Sequence, residues 1–427
     1  MSGRRFLIIA GEPSGDLLAA ELVRALTNSE RARAMPFPPK FSGAGGPAMA
    51  AEGVEVLIDM TEHAVTGLSD VLAKLREFKR ILDRLVDLAL KREPDVIICV
   101  DFSGFNRRFA HALRKELSAR TGPFNNWSPR IVQYVSPQVW ASRPGRAVQM
   151  ARDFDLLLAI FPFEKDWYAR RVPKLRVEFV GHPIVDRFSS AGPGSRPGQS
   201  TQETSGSDRK GSALEVDQPN ILLLPGSRIG ELNRHLPSML KAAWLIQQKT
   251  PARFRLVLPN QQLADRVRRQ VEDLRMPATA EGSDHRGATV STSLFEADVQ
   301  VGHLGEALAD TDLAIASTGT VTMECACFGV PTVAIYKTSW MTYLIARSII
   351  KVKYLAMPNL LANEEIFPEF VQHAANPINI SRAALELLSD PRRRNAVTAR
   401  LAGVVQSLGG RGASERAANA ILQLLPS

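Results

Sequence analysis

The stretch FLIIAGEPSGDLLAAELVRAL, residues 6–26, carries the reading of the fold. An apolar run ends abruptly in Gly-Glu-Pro-Ser-Gly-Asp, and a helix-period segment begins at once. Strand, short polar loop, helix is the opening unit of a parallel α/β sheet. In open sheets of that kind, ligands bind beyond the carboxyl ends of the strands, where this loop lies. Gly11 and Gly15 permit close backbone approach there, and Ser14 or Asp16 suits the capping of the helix. Glu12 has little structural purpose in such a crevice, which makes its carboxylate a candidate ligand contact.

The same alternation repeats along the chain. FLIIAG, DVIICVD, IVQYVS, LLLAI and VEFVG read as strands in the first half, and NILLLPG, FRLVLPN, DLAIAS and PTVAIY in the second. Several are continuously apolar, as parallel strands covered on both faces are. The expected architecture is α/β, with two Rossmann-like, doubly wound domains facing a central cleft. Residues 189–220 are poor in large apolar side chains and rich in Gly, Ser and Pro, so they read as a linker. The expected divisions are therefore 1–188, the linker 189–220, a second domain 221–378, and C-terminal helices over 379–427 that cap either half.

The bulk numbers agree with a two-domain globular protein. The chain has 427 residues, 45% of them hydrophobic. No apolar run reaches the ~20 residues that span a bilayer, and the short run after Arg4 and Arg5 lacks a signal-peptide cleavage pattern. Cys99, Cys325 and Cys327 lie in apolar surroundings, which fits a reducing cytoplasm without a disulfide framework. The net charge of +9 admits nucleic acid, anionic lipid or phosphorylated small molecules as partners. Nucleic acid is disfavoured, because neither a zinc finger nor an aromatic RNA-binding signature is present.

Five further places are candidates for chemistry. Asp101 follows the buried-looking run VIICV and precedes a Gly-containing loop, so it is either a helix cap or a carboxylate at a strand's carboxyl end. In LLLPGSRIGEL, Arg228 opens a helix after a strand and a Pro-Gly turn. A cation is mildly unfavourable there, whereas an anion held by the helix start and the guanidinium is favoured. In STGTVTMECACFGVP, the small residues Ser317, Thr318, Gly319 and Thr320 can cradle a diphosphate on backbone N–H groups. Glu324, about a turn further on, can accept from a ribose diol. GAGGPA, residues 43–48, matches the dinucleotide fingerprint but does not follow the first strand, and Pro47 at a helix start explains it structurally. His182 in GHPIVD reads as a turn residue or a ligand. No metal-ligand spacing and no Ser-His-Asp constellation is legible, so neither a metal nor a cofactor is expected.

Taken in order, AGEPSGD, GAGGPAM, DVIICVDFSGFN, YVSPQVWA, FPFEKDWY, VGHPIVD, LLPGSR, STGTVTMECACFGVPTVAIYK and MPNLLANEE resemble the lipid-A-disaccharide synthases, glycosyltransferases of the GT-B fold. The resemblance implies an inverting transfer of diacylglucosamine from its UDP carrier to the 6-hydroxyl of diacylglucosamine 1-phosphate. It implies Asp101 as base, with Glu12 on the acceptor side. It also implies a donor site holding Arg228, residues 317–320, Glu324 and Asn359, with Ser14, Asn106 and His182 as further motif residues. Departures from the family pattern are Gly104, where a second acid is usual, Ser142, where an aromatic is frequent, and the Gly/Ser-rich linker.

Acylated substrates imply a peripheral enzyme on the cytoplasmic face of an anionic inner membrane, with a homodimer as an open expectation. Residues 71–92 read as a basic helix packed on the sheet through Val71, Leu75, Phe78, Leu82, Leu85 and Ala89. Residues 340–355, WMTYLIARSIIKVKYL, are more apolar and also basic, which fits lipid contact better. The rival readings are another GT-B UDP-sugar transferase or epimerase, and a non-catalytic lipid- or nucleotide-sugar-binding protein.

Overall fold

Continuous apolar runs such as Phe6–Ala10 and Val96–Val100 are buried on both faces, which only a sheet covered by helices on each side provides. The computed structural model describes residues 3–60, 71–120, 122, 126–188, 218–273, 297–350 and 352–426. It divides into two compact units, residues 1–187 with 407–427, and residues 188–406.

The first unit holds β1 (Arg5–Ala10), β2 (Lys40–Gly45), β3 (Glu55–Asp59), β4 (Val96–Val100), β5 (Arg130–Tyr134), β6 (Leu156–Ala159) and β7 (Arg176–Phe179). They form one parallel sheet in the order β3-β2-β1-β4-β5-β6-β7. The chain builds outward from β1 to one edge, then crosses to β4 on the other side of β1. Beyond paired residues Ala10 and Val100, their two loops therefore leave the sheet side by side at the topological switch point.

The second unit repeats this plan. β8 (Asn220–Leu224), β9 (Arg253–Leu258), β10 (Ala297–Val301), β11 (Leu313–Ser317), β12 (Thr332–Tyr336) and β13 (Glu369–Val371) are parallel in the order β10-β9-β8-β11-β12-β13. Its switch point lies between β8 and β11, where Leu224 pairs Ala316. β2, β3, β10 and β13 were not among the strands read from the sequence. The linker residues 189–217 lie outside the described residues.

The tail forms three helices, Pro377–Ser389, Pro391–Ser407 and Ala413–Leu422. The last belongs to the first unit and packs on the helix Pro13–Asn28. The VGHPIVD segment anchors it. Arg416 Nε donates to the Val180 carbonyl at 2.8 Å, and Asp186 accepts from the Gly412 and Ala413 N–H groups at 2.7 and 3.0 Å. The basic helix Val71–Arg92 turns Ile81, Leu85, Val86 and Ala89 into the core, as its apolar stripe requires.

Among the described acids of the first unit, Glu164 is wholly buried in the core. Glu164 takes the Trp140 indole N–H at 3.0 Å and the Phe161 backbone N–H at 3.2 Å, and burial nevertheless pushes its carboxyl up to about 7. A carboxyl raised on folding stabilises fully below its unfolded value, and that contribution is lost as pH rises through about 7. Ionisation then costs about 3 kcal/mol. The melting temperature is expected to fall between pH 5 and 8 in the wild type and much less in Glu164→Gln. Parallel curves for the two proteins would mean that the carboxyl is not raised.

Candidate active site

At the first switch point the β4 loop leans onto the β1 loop, and Gly11 makes this possible. A Cβ on Gly11 would stand 2.2 Å from the Phe102 ring, and one on Gly15 would stand 3.9 Å from the Asp101 Cβ. Gly11 thus admits the neighbouring loop, whereas a side chain at Gly15 would make only ordinary contact with it. Glu12 is the N-cap residue of the helix Pro13–Asn28 without a side-chain cap bond, half-buried, and Ser14 is exposed in the first turn. Asp16, by contrast, does not serve its own helix. Its buried carboxylate accepts from Gly46 N at 2.8 Å, Ala48 N at 2.9 Å and Met49 N at 3.2 Å. It therefore fills the helix start after GAGGPA, where a dinucleotide's pyrophosphate would otherwise sit, and the fingerprint is structural.

Asp101 is exposed at the carboxyl end of β4, and its backbone is strained. Asp101 and Phe102 have φ of +47° and +34°, a region rarely used by a bulky residue such as Phe. Two buried amides hold this turn. Asn106 Nδ2 donates to the Val100 and Asp101 carbonyls at 3.2 and 3.0 Å, and Gln133 Nε2 donates to the Asp101 and Val135 carbonyls at 3.0 and 3.1 Å. Asn106 is therefore a positioning residue, because it is buried and its amide serves the backbone. Gln133 was not singled out from the sequence, although a Gln in the apolar strand IVQYV was a legible signal. Gly104, where a second acid is usual in the family, is exposed, and a Cβ there would meet no atom within 4 Å.

His182 is buried, and its Nδ1 accepts from Ile184 N at 3.1 Å. Burial first, and then Arg187, lower its pKa to about 4, so it stays neutral. Of its two readings, the structure supports the turn residue.

In the second unit, Arg228 is the N-cap residue of the helix Ile229–Gln247, with its side chain 66% exposed. The sequence did not single out Glu231. Its carboxylate accepts from Ser227 N at 3.2 Å and lies 3.7 Å from the Arg228 guanidinium. Glu231 thus shares this helix start with Arg228. Behind it, buried His235 Nδ1 donates to the Pro225 carbonyl at 2.8 Å, and its Nε2 accepts from Lys337 N at 2.9 Å. This tautomer ties the PGSR turn to the end of β12. Lys337 Nζ donates to Ser238 at 2.8 Å, and burial lowers its pKa.

Next to it, β11 ends in buried Ser317, and Thr318 N donates to the Ile335 carbonyl at 2.9 Å. Gly319, at φ +145°, opens the helix Thr320–Cys327 with no side-chain cap, and a Cβ there would meet nothing within 4 Å. Thr320 is exposed, and Glu324 is half-buried one turn on. An uncapped helix start beneath open space, with hydroxyls and a carboxylate beside it, suits a diphosphate and a diol.

Asn359 is a correction. It is fully buried and its amide is consumed within the protein. Nδ2 donates to the Phe367 carbonyl at 2.8 Å and to Glu369 at 3.3 Å, while Oδ1 accepts from Ile366 N and Phe367 N at 2.9 and 2.8 Å. Glu369, also unread in the sequence, accepts from Leu355 N and Ala356 N at 2.8 and 3.0 Å. This pair shapes the MPNLLAN segment and leaves Asn359 no bond for a donor. A cavity lined by Lys249, Asp312, Arg382 and Arg394 opens at the amino ends of β8 and β11, away from these loops, and shares no residue with them. Among the described residues, no group of three His, Cys, Asp or Glu could hold a metal ion.

Comparison with known proteins assigns the chain to a family. The model of the lipid-A-disaccharide synthetase family matches residues 6–423. The lipid-A-disaccharide synthase of Myxococcus xanthus (strain DK1622) is 35% identical over 422 residues, covering 99% of this chain and 98% of that one. Among solved structures, a putative UDP-N-acetylglucosamine 2-epimerase from Listeria monocytogenes aligns with a TM-score of 0.57 at 14% identity, over 99% of this chain and 97% of that one. The glycotransferase of kitacinnamycin aligns at 0.55 and 18% identity, over 99% and 100%. These two share the fold alone. The family match spans both switch-point sites and nearly the whole chain, so the protein belongs to the lipid-A-disaccharide synthase family, UDP-sugar glycosyltransferases of the GT-B fold.

Proposed function

We propose that the enzyme moves diacylglucosamine from UDP-diacylglucosamine to the 6-hydroxyl of diacylglucosamine 1-phosphate, with Asp101 as general base. The observation that carries the reading is the exposed Asp101 carboxylate on a strained turn held by two buried amides. Strain of that kind persists where the surrounding structure over-determines it, as at reactive sites. Asp101 takes the proton of the 6-hydroxyl as its oxygen attacks the anomeric carbon, and the bond to UDP breaks on the opposite face. Inversion needs only this one displacement. Arg228 and the helix start at Gly319–Thr320 meet the charge that develops on the departing diphosphate, while Glu324 accepts from the ribose. Glu12, next to the Asp101 loop, lies on the acceptor side.

Transfer of radiolabel from UDP-diacylglucosamine to the 1-phosphate acceptor tests the reading. Isomerisation of an unacylated UDP-sugar would mark an epimerase, and binding without turnover would mark a binding protein. Either result would replace the proposal.

The acylated substrates call for contact with a lipid surface, and we assign it to the helix Trp340–Ile349. Trp340, Met341 and Leu344 are 53%, 76% and 59% exposed, with Arg347 and Lys353 exposed nearby. Tyr343, Ile349, Ile350 and Leu355 are half-buried, which removes them from the main insertion face. Lys351 and the side chain of Ile345 lie outside the described residues. Among those described, no helix is long and apolar enough to cross a membrane. Trp340→Ser with Leu344→Ser is expected to weaken binding to phosphatidylglycerol vesicles by roughly tenfold or more. Unchanged binding would move the contact elsewhere.

A further inference from the structure

Arg107 and Arg108 lie in the second turn of the helix Ser103–Arg120, which starts two residues after Asp101. Arg143 and Arg146 flank the Pro144-Gly145 turn, and Arg146 is the first residue of the helix Arg146–Asp153. These two helices are locked together. Arg114 Nε donates to the Asp153 carbonyl at 3.2 Å, Arg114 pairs with Asp155 at 2.6 Å, and His111 lies 3.2 Å from Asp153. The acids at this seam are thus engaged by His111, Arg114, Arg130 and Arg152. Among the described residues, none of the four arginines has a carboxylate partner, although surface arginines elsewhere in the unit pair freely, as Arg24 does with Glu52 and Arg187 with Glu21.

The placement is electrostatically unfavourable without an anion. Arg146 sits at a helix start, where the backbone already carries partial positive charge. Arg107 is repelled by the other three guanidiniums, and Arg146 by those of Arg143 and Arg108. Burial, then Arg146, Arg108 and Arg143, hold Arg107 below the ordinary guanidinium value, and burial, then Arg143 and Arg108, do the same to Arg146. Planar guanidiniums set along one seam without a carboxylate partner among the described residues suit the oxygens of a phosphate, each group able to donate two bonds.

We propose that Arg107, Arg108, Arg143 and Arg146 form a binding site for a phosphate monoester, the 1-phosphate of the acceptor sugar. The inference rests on the acceptor reading above and adds the site that recognises its anionic end. Asn106 links the two functions, because it stands beside Arg107 in sequence and its amide holds the Asp101 carbonyl. Binding the phosphate on this helix places the acceptor relative to the base without any contact to the donor. The site takes the phosphate as a dianion and undergoes no covalent step.

The test compares acceptors with and without the 1-phosphate in the wild type, in Arg143→Gln/Arg146→Gln and in Arg107→Lys. The double variant is expected to raise KM for the phosphorylated acceptor about 10- to 100-fold. KM for the UDP donor and the rate with the dephosphorylated acceptor should stay unchanged. Arg107→Lys, which keeps the charge and guards against a folding defect, should retain most of the preference for phosphate. Equal losses with both acceptors would overturn the proposal. So would loss of binding to phosphatidylglycerol vesicles with the phosphate preference intact, which would mark a lipid head-group site. If the wild type uses neither acceptor, the acceptor reading itself fails, and calorimetric titration with inorganic phosphate decides the cluster. Weaker binding in the double variant supports it, and equal binding sinks it.

Discussion

Asp101→Asn is expected to lower turnover by roughly 10²–10⁴-fold, with KM for the UDP donor nearly unchanged. The substitution keeps the size of the side chain and leaves the grip of Asn106 and Gln133 on the backbone carbonyl intact. Asn also tolerates the positive φ that this position demands. The turn should therefore survive, and only the basic oxygen is lost. Single-turnover transfer measured in excess enzyme isolates the chemical step from product release. A near-normal rate in the folded variant would assign the base elsewhere, with Glu12 the next candidate.

Asn359→Ala is expected to destabilise the protein by about 3–5 kcal/mol. The change removes bonds to Ile366 N, Phe367 N, the Phe367 carbonyl and Glu369, all in a buried setting. Phe367 N and the Phe367 carbonyl would lose these partners, and Ile366 N would keep only its 3.2 Å bond to the Glu364 carbonyl; that penalty exceeds the loss of the bonds themselves. Denaturant unfolding reads the effect. If the variant instead unfolds like the wild type but loses affinity for UDP, Asn359 is a ligand contact after all, and its internal bonds rearrange when the donor binds.

These two residues show how far the sequence could be read. Both stand in motifs resembling the same family, and both were assigned to substrate. One is exposed at a strand end on a strained turn, and the other has no bonding capacity left. Residue type and motif membership are identical evidence for a ligand contact and for an internal strut, because both uses select a polar side chain in a loop. His182 and Asp16 illustrate the same ambiguity. Asp16 caps a helix that begins thirty-one residues further along the chain, a pairing that no local pattern encodes.

The sequence by itself determined the α/β class, the central strands, the loops at which chemistry is expected and the family. Strands buried on both faces require uninterrupted apolar runs, and those runs announce where the sheet's carboxyl ends must lie. The strands that escaped notice sit at or next to sheet edges. β3, β10 and β13 are largely half-exposed, and β2 ends in the small residues Ser42-Gly43-Ala44-Gly45, with Gly43 close against β1. Edge strands are covered less, so their apolar signal is weaker. Only the tertiary structure decided the strand order that brings β1 beside β4 and β8 beside β11. It alone assigned the terminal helix to the first unit, and it alone brought Arg107 and Arg108 of one helix to the Arg143–Arg146 turn that opens another. Each of these depends on contacts between distant segments, whose energies come from burial and charge in three dimensions rather than from neighbours along the chain.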